Sequence, residues 1–403
     1  MSFDVLLHDR LIGRIIEEPS NGVIAFSLRD DYLDDPARAV LGQRFEDGHR
    51  VQTFRVASHP GRLPSFFANL LPEGALQAMV RSQQATAGDL GTLAHVGENL
   101  PGAVVVRFSA GEVEPMARGV SFDEPALGPV LASEAPRFSL AGVQPKLSAD
   151  RLDDGRFVVR SRTGDWILKF GSTPFETLPR NEHTVMRWAS LAGIEIPVHH
   201  LVRAGDIDGL DPRFASGDDP VFAIRRYDRL AGGARVHQED FAQVRGAHPD
   251  GKYKNASYEA LARLIGDLCG EEDLREYLRR MVFMILSGNY DAHLKNWSLI
   301  YPDRRQARLS PAYDLVFVAE YPFEPTLALT LAKEVLPSRI EWSHLRRIER
   351  YLHDRGHPMA VVAEARTFVA RTMDAWSTLR PEADPSLRSR IDRYLESIPL
   401  SKP

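Results

Sequence analysis

The chain has 403 residues, 43% of them hydrophobic, and a formal net charge of -5. This length and hydrophobic content predict a folded protein with two or three packed subdomains. The charge offers no basic surplus for sequence-independent binding to nucleic acid. The one cysteine, Cys269, excludes disulfides within the chain and a thiolate-rich metal site, which fits a reducing cytoplasm. No signal peptide is expected at the start, and no segment approaches the ~20 apolar residues of a membrane span.

The first hundred or so residues predict an antiparallel, mostly β module. Phe3, Val5 and Leu7 recur at every second position, and a turn at 20–22 precedes the strand-like run VIAFSL. Residues 110–136 contain several prolines and scattered acids, and they predict a connecting segment. The N-terminal part of the chain is therefore expected to form a β-rich unit of its own.

A second, mixed α/β unit is expected after this connection. The segments RFVVR and WILKF predict two strands on either side of a turn at Gly164 and Asp165. A helix beginning near Pro179 and ending near Gly193 follows, and VFAIRRY predicts a further strand. The buried face of that helix would carry apolar residues at helical spacing: Val185, Trp188, Ala189 and Ala192.

From about residue 256 onward, a 3.6-residue apolar period predicts a mainly helical C-terminal part. One helix would end just before Ser287, and its apolar face is spaced accordingly: Leu274, Leu278, Met281, Val282 and Ile285. Further helices are predicted over 343–353, 359–379 and 386–397. The three parts together indicate an α+β protein.

The segment SGNYDAHLKNWSLIY places Asp291 five positions before Asn296. Protein-kinase catalytic loops use this spacing, because the Asp orients the substrate hydroxyl while the Asn amide oxygen helps to hold magnesium. The spacing alone is a weak signal. A second acidic residue, Asp314 in SPAYDLVF, follows 18 positions after Asn296 and resembles the kinase metal-binding Asp. The alternative is that these acids are ordinary turn formers.

Three segments upstream of these acids are candidates for nucleotide contact. Lys169 in the strand WILKF could pair with phosphates, although a strand lysine is more often solvated. Glu182, in the next helix, would either pair with Lys169 or favour the positive helix terminus. The loop around Gly142, Gln144 and Lys146 could cover phosphates with backbone amides, but it contains neither a G-x-G-x-x-G nor a Walker A motif. Composition alone favours an ordinary loop, and only its position before the Lys169 strand makes it a candidate for nucleotide contact.

The chain resembles the HipA family of serine/threonine protein kinase toxins over nearly its whole length. Short segments match in the expected order: FFANLLPEG, VGENLPGAVVV, SLAGVQPKL, WILKF, NEHTVMRWASLAGI, RRYDRL, VHQEDFAQ, NYDAHLKNWSL and SPAYDLV. The resemblance implies a two-lobed protein-kinase-like fold, with an extra N-terminal mostly β subdomain and an all-helical C-terminal lobe. The implied parts are an N-terminal subdomain over 1–112, a connecting segment over 113–136, a kinase-like N-lobe over 137–228 and a mainly helical C-lobe over 229–403.

The resemblance also implies roles for individual residues. Asp291 would be the catalytic base, and Asn296 and Asp314 would hold Mg2+. Lys169 would contact the ATP phosphates, and Tyr313 would flank the nucleotide. The other implied ATP-binding residues form the phosphate-covering loop, the adenine hinge and the catalytic loop: Ala141, Gly142, Val143, Gln144, Pro145, Lys146, Arg225, Arg226, Tyr227, His293, Leu294, Lys295 and Asn296.

Regulation and partners are likewise implied by the resemblance. Ser139 resembles the family's autophosphorylation serine, and a phosphate there would oppose the nucleotide phosphates and favour an inactive loop. The alternative is a surface serine without a regulatory role. Growth arrest and persistence would follow phosphorylation of a translation component, such as an aminoacyl-tRNA synthetase. A HipB-like DNA-binding antitoxin would restrain the protein, by contact with the N-terminal β module, and would bring it to DNA only indirectly.

The chain departs from ordinary protein kinases in ways that HipA-like proteins share. N-Y-D at 289–291 replaces H-R-D, D-L-V at 314–316 replaces D-F-G, and Lys295 stands four positions after Asp291 rather than two. His293 is interpreted as positioning the nucleotide or bracing the loop, because no histidine cluster accompanies it. Two rival functions remain: a catalytically quiet co-repressor that acts with its antitoxin, and a small-molecule kinase.

Overall fold

The apolar alternation of the N-terminal segment forms a six-stranded sheet, which confirms the predicted β-rich subdomain. The computed structural model describes residues 1–47, 50–51, 55–74, 77, 88–109, 121–122, 144–160, 164–322 and 325–402. The strands are β1 (Ser2–Leu7), β2 (Arg10–Glu17), β3 (Val23–Leu28), β4 (Glu46–Asp47), β5 (Arg50–Val51), β6 (Arg55–Pro60), β7 (Val104–Phe108) and β8 (Ser121–Phe122). The sheet has the order β7-β1-β2-β3-β6-β8, and β4 pairs with β5 in a separate ribbon. The predicted connecting segment lies outside the described residues apart from β8.

The core of this subdomain is aromatic. Phe26 packs edge-to-face against Phe45 and Phe67, with ring centroids 6.0 and 4.7 Å apart. Phe66 packs in the same way against Phe45, at 5.5 Å. The helices of the N-terminal subdomain are α1 (Asp30–Leu33), α2 (Ser65–Ala68) and α3 (Asp89–Val96). Because Phe66 and Phe67 belong to α2, these rings hold α2 against the sheet and fix the direction of the segment that follows it.

A second six-stranded sheet belongs to the mixed lobe. Its strands are β9 (Lys146–Arg151), β10 (Phe157–Val159), β11 (Trp166–Phe170), β12 (His199–Arg203), β13 (Ile207–Asp208) and β14 (Pro220–Arg225), in the order β12-β14-β11-β9-β10-β13. RFVVR and WILKF do contain strands, but these strands do not pair with each other across the Gly164–Asp165 turn. Strand β9 lies between β10 and β11 and pairs antiparallel with both. The mostly polar sequence of β9 carries no apolar alternation that marks it as a central strand.

Helix α4 (Leu178–Leu191) packs this sheet against the helical lobe. Trp188 is fully shielded from solvent, as predicted, and its ring lies 5.2 Å from that of Phe283. The indole N–H donates a hydrogen bond to the Thr372 carbonyl at 2.8 Å. The helix ends before Gly193, whose φ of 85° lies in the left-handed region that glycine tolerates.

The C-terminal lobe is mainly helical, as predicted. Its helices are α5 (Phe241–Val244), α6 (Tyr258–Cys269), α7 (Glu271–Leu286), α8 (Trp342–His353), α9 (Val361–Leu379) and α10 (Pro385–Ser397). The lobe also contains an antiparallel sheet of β15 (His237–Asp240), β16 (Ser298–Tyr301) and β17 (Arg308–Leu309), which a purely helical lobe would lack. One hydrophobic cluster includes residues of these helices and of α4, so the two lobes share a core. Within the part of the chain that the structure describes, every helix is too short or too polar to cross a membrane.

Helix α7 leads the chain into the predicted catalytic loop. Gly288 follows the helix with a φ of 62°, and a Cβ at this position would lie 2.8 Å from the Phe317 ring. Glycine is therefore needed both for the turn and for the close approach. The Gly288 carbonyl accepts hydrogen bonds from the N–H groups of Val318 and Ala319 at 3.0 and 3.2 Å. This turn holds the segment that carries Asp291 against the segment that follows Asp314.

Candidate active site

Lys169, Glu182 and Asp314 form a buried ionic cluster between the lobes. Lys169 lies on β11, Glu182 lies on α4, and Asp314 follows β17. The Lys169 ammonium donates to Glu182 Oε1 at 2.5 Å and to Asp314 Oδ1 at 2.8 Å. The side chains of Lys169 and Glu182 are 7% and 0% exposed. Of the two alternatives for Glu182, the structure therefore contains the pairing with Lys169.

Burial and neighbouring charges together shift the pKa values of the three groups in this cluster. Burial acts against the charge of Lys169, but Asp314 and Glu182 outweigh it and raise the pKa of Lys169. Burial also acts against the charge of Asp314, but Lys169 and Lys146 lower the pKa of Asp314 far below its ordinary value. Burial raises the pKa of Glu182 despite the opposing effect of Lys169. Asp314 is therefore the strongly anionic carboxylate of the cluster.

Asn296 and Asp314 meet side chain to side chain. Asn296 Nδ2 donates to Asp314 Oδ2 at 2.8 Å, and Asn296 Oδ1 accepts from the His293 backbone N–H at 3.0 Å. Asp314 has a φ of 59°, in the left-handed region that non-glycine residues seldom adopt. Asn289 Nδ2 donates to the Asp314 carbonyl at 3.4 Å. Such backbone strain is concentrated at functional sites, which agrees with a special role for Asp314.

Asp291 faces the same pocket as these residues. The pocket wall combines residues of both lobes: Gln144, Leu178, Asn289, Asp291, Asn296, Asp314, Val316 and Val318. Asp291 Oδ1 accepts a hydrogen bond from the Tyr253 hydroxyl at 2.6 Å. Sequence reasoning missed Tyr253, because it lies in the polar loop GKYKN and no motif spacing connects that loop to Asp291.

The described end of the predicted phosphate-covering loop reaches this pocket. Four predicted residues lie outside the described residues: Ser139, Ala141, Gly142 and Val143. Gln144 is buried, and its Nε2 has no hydrogen-bond partner among the described residues, which leaves a donor at the pocket wall. The Pro145 carbonyl accepts from the Phe170 N–H at 3.1 Å. Lys146 lies opposite Lys169 in the β9–β11 register, and burial lowers the pKa of Lys146.

The predicted adenine hinge connects β14 to the helical lobe. The backbone N–H groups of Arg225 and Arg226 donate to the carbonyls of Val198 and Asp165 at 2.8 and 2.7 Å. Both donors are therefore used within the protein. A contact between adenine and this part of the backbone would have to use carbonyl oxygens or the following residue, Tyr227.

Tyr227 and Tyr313 lie together, with ring centroids 5.9 Å apart. The Tyr313 hydroxyl donates to the Lys295 carbonyl at 2.8 Å and shares a hydrogen bond of 2.6 Å with Ser298 Oγ. Burial raises the pKa of both phenols, so both stay neutral. The two rings thus connect the predicted hinge to the predicted catalytic loop just before Asp314.

The side chains of His293, Leu294 and Lys295 have different surroundings. His293 is 1% exposed, neither ring nitrogen has a hydrogen-bond partner among the described residues, and burial lowers its pKa, so the ring is neutral. Leu294 is buried in the core of the lobe. The Lys295 ammonium donates to the Asn69 carbonyl at 2.7 Å and to Asp240 at 2.9 Å. The side chains of Leu294 and Lys295 are therefore not among those that line the pocket of Asp291.

The fold and these residues define a two-lobed, protein-kinase-like protein with an added N-terminal β-rich subdomain. The chain belongs to the HipA family: residues 3–107 match the HipA N-terminal domain, and residues 138–376 match the HipA-like C-terminal domain. The resemblance noted in the sequence is thereby confirmed.

Relatives of known name agree with this assignment. A Sinorhizobium fredii protein named "Putative kinase Y4dM" is 37% identical over 353 residues, which cover 84% of this chain and 85% of that protein. The serine/threonine-protein kinase toxin HipA of Shewanella oneidensis is 25% identical over 353 residues, covering 77% of this chain and 75% of that protein. A structure of Shewanella oneidensis HipA with HipB and operator DNA aligns with a TM-score of 0.74 at 21% identity, covering 99% of this chain and 96% of that chain. The fold is therefore shared along the whole chain.

Proposed function

We propose that this protein is an ATP- and Mg2+-dependent serine/threonine protein kinase. The observation that carries the proposal is the cluster in which Asp314 contacts both Lys169 and Asn296 beside the pocket of Asp291. A kinase performs little covalent chemistry of its own, so positioning and charge supply most of the acceleration. A cation, two oxygen-bearing side chains and a carboxylate base at one pocket meet that requirement.

The nucleotide phosphates would lie between Lys169 and the phosphate-covering loop at 141–146. Glu182 keeps the Lys169 ammonium in place, and Gln144 Nε2, which has no hydrogen-bond partner among the described residues, offers a further donor. Lys146 adds positive charge to the same cluster. The hinge at 225–227 and Tyr313 would hold the base and sugar, and the backbone of the loop at 293–296 would close the site.

Asn296 and Asp314 would hold Mg2+. Asn296 turns its Nδ2 towards Asp314 Oδ2 in the structure, so a bound cation would take the place of this hydrogen bond and require the Asn296 Oδ1 to turn towards it. Lys169 and Lys146 lower the pKa of Asp314 against the effect of burial, which keeps its carboxylate charged. Mg2+ takes few protein ligands and keeps several waters, so one carboxylate and one amide oxygen can suffice to hold it. When bound, Mg2+ would offset the charge of the transferring phosphoryl group.

Asp291 would act on the protein substrate. Its carboxylate orients a serine or threonine hydroxyl and accepts the hydroxyl proton as the oxygen attacks the γ-phosphorus. The bond between the γ-phosphorus and the bridging oxygen breaks, and ADP leaves. Tyr253 hydrogen-bonds Asp291 Oδ1 in the structure, so the carboxylate is oriented before substrate arrives.

We further propose that the protein is the toxin of a HipBA-like pair in the cytoplasm. Its likeness to a HipA solved with HipB and operator DNA supports a HipB-like antitoxin as partner, with DNA contacted through that partner. Phosphorylation of a translation component, such as an aminoacyl-tRNA synthetase, would arrest growth and cause persistence. Autophosphorylation of Ser139 would oppose nucleotide phosphates and switch the kinase off. We also propose the division of the chain into an N-terminal subdomain, a connecting segment, an N-lobe and a C-lobe, over residues 1–112, 113–136, 137–228 and 229–403.

Induced expression in a host without the antitoxin tests this function. The native chain should arrest growth and add phosphate to serine or threonine residues of a few host proteins, and to Ser139, as read by phosphoproteomics. Asp291→Asn should do neither. Equal toxicity of Asp291→Asn would favour the co-repressor, and label that enters only small molecules would favour the small-molecule kinase.

A further inference from the structure

An acidic residue of the N-terminal subdomain lies between two lysines of the helical lobe. Glu73 is the penultimate residue of the FFANLLPEG segment, and its carboxylate lies 2.6 Å from the Lys252 ammonium and 3.7 Å from the Lys295 ammonium. Lys295 also donates to the carbonyl of Asn69, in the same segment. The end of α2 is therefore fastened to the loop that carries Asp291.

This contact is ionised and largely shielded from water. The side chains of Lys252 and Glu73 are 9% and 24% exposed. Burial would raise the pKa of Glu73, but Lys295 and Lys252 outweigh burial and lower it, so the carboxylate is charged. A shielded pair of this kind is screened less by salt than a pair on the surface.

The residue after Lys252 reaches the predicted catalytic base. The Tyr253 hydroxyl donates to Asp291 Oδ1 at 2.6 Å, and its ring meets the His293 ring edge-on, with centroids 5.1 Å apart. The Lys252 carbonyl accepts from the Leu294 N–H at 3.2 Å. Backbone, ring and hydroxyl of this dipeptide therefore all contact the catalytic loop.

We propose that Tyr253 is a positioning residue for Asp291, and that Glu73 of the N-terminal subdomain holds Tyr253 in place through Lys252. The inference rests on the proposed kinase function, because Asp291 is the group that meets the substrate hydroxyl. Proton acceptance requires that carboxylate at hydrogen-bond distance from the hydroxyl, so a displaced Asp291 transfers phosphate more slowly. The N-terminal subdomain is then part of the transfer machinery.

We call the contacts that run from Glu73 through Lys252 and Tyr253 to Asp291 the relay. Steady-state kinetics of single and double variants test it. Tyr253→Phe, which removes only the hydroxyl, should lower kcat ten- to hundredfold, by the order that misplacement of a catalytic group costs. The KM for ATP should stay within about twofold of the native value, because Tyr253→Phe keeps the ring that meets His293 and removes only the hydroxyl that contacts Asp291. Glu73→Gln should lower kcat less, and its effect should vanish in the Tyr253→Phe background because both act through one hydroxyl. Additive losses, or an unchanged kcat for Tyr253→Phe, would overturn the relay.

Charge-conserving and matched variants separate the relay from general damage. Lys252→Arg should keep most of the kcat that Lys252→Met loses. Asp250 lies in the same loop and forms an ion pair with Arg62 of the N-terminal subdomain at 3.2 Å, with side chains 72% and 44% exposed. Asp250→Asn should leave kcat unchanged. Phosphate on Tyr253 after incubation with ATP would overturn the inference, because Tyr253 would then be an acceptor rather than a positioning residue.

Hydrogen exchange gives a measurement that does not depend on activity. Glu73→Gln should speed amide exchange in residues 289–297, whereas Asp250→Asn should not. Unchanged exchange in Glu73→Gln would overturn the relay even in an active kinase. If exchange responds to Glu73→Gln but the native chain transfers no phosphate, the connection between Glu73 and the loop that carries Asp291 is supported and the proposed kinase function fails.

Discussion

Lys169 separates two carboxylates in a site that is nearly closed to water. Lys169→Met leaves Asp314 and Glu182 without their shared cation, so we expect a loss of about 3 kcal/mol in the free energy of unfolding. Glu182→Gln should lose less, because burial already raises the pKa of Glu182 towards the neutral form. Urea unfolding, followed by tryptophan fluorescence, measures both variants. Equal losses would contradict the assignment of Asp314 as the main anionic partner.

At the scale of single residues, the sequence predicted a common site for Asp291, Asn296 and Asp314, and the structure brings the three side chains to one pocket wall. Their roles in phosphoryl transfer stay a prediction. The sequence could not decide whether Glu182 pairs with Lys169, because that depends on how α4 packs against β11. The contact of Tyr253 with Asp291 could not be predicted from the sequence. It joins two loops that are distant in sequence, and no periodic pattern encodes such a meeting.

At the scale of elements, α4 carries Glu182 and is anchored in the shared core by Trp188. The Trp188 ring contacts those of Phe283 and Trp376, with centroids 5.2 and 4.9 Å apart. Trp188→Ala should therefore lower the free energy of unfolding by about 4 kcal/mol. Leu191→Ala is the matched control on the same helix, since Leu191 is 48% exposed, and it should change stability by less than about 0.5 kcal/mol. Similar losses in chemical denaturation would show that α4 is anchored elsewhere.

Strand β15 carries a buried carboxyl that makes stability depend on pH. Glu239 is fully buried, accepts hydrogen bonds from the Gln43 N–H at 2.8 Å and from the Tyr301 hydroxyl, and burial raises its pKa to about 8. The folded state then binds a proton that the unfolded state releases above pH 4.5. The free energy of unfolding should fall by about 5 kcal/mol as the pH rises through this window towards 8. In chemical denaturation at several pH values, the free energy of unfolding of Glu239→Gln should depend less steeply on pH than that of the native chain. The same pH dependence in both proteins would contradict the raised pKa of Glu239.

Apolar periodicity in the sequence decides which helices and strands could be predicted. Helix α7 and helix α9 have long apolar stripes, so their periodicity marks them clearly in the sequence. Strand β9 could not be recognised, because polar side chains such as Ser148 and Asp150 dominate it although it lies in the interior of its sheet. The sheet of β15, β16 and β17 was missed as a unit, since its strands are short and separated along the chain.

At the scale of the whole molecule, the N-terminal subdomain contacts both the predicted hinge region and the loop that carries Asp291. Asp228, just after the hinge, contacts the guanidinium groups of Arg226 and Arg229 at 2.8 Å and accepts from the Gly102 N–H at 2.7 Å. Arg229 in turn donates to the Leu100 carbonyl at 2.8 Å. Sequence order alone placed VGENLPG in the family pattern but could not reveal these contacts, which exist only after the subdomains pack.

This junction should be among the stabilising contacts between subdomains. Asp228 is 4% exposed, so Asp228→Asn leaves two largely buried arginines without their shared carboxylate, and we expect a loss of about 3 kcal/mol. Asp250→Asn removes an exposed pair across the same subdomains and should change stability by less than about 0.5 kcal/mol. Equal urea midpoints for the two variants would contradict the importance of the Asp228 junction.

The proposed phosphoryl-transfer site of Asp291, Asn296 and Asp314 can be tested with purified protein. The native chain is incubated with γ-labelled ATP, Mg2+ and whole-cell protein, beside Asp291→Asn and the surface control Asp250→Asn. We expect label on serine or threonine of discrete proteins with the native chain and the control, and at least a hundredfold less with Asp291→Asn, roughly the contribution of a positioned acid/base group. Equal labelling by the native chain and Asp291→Asn, or no labelling of protein by either, would contradict the proposed site.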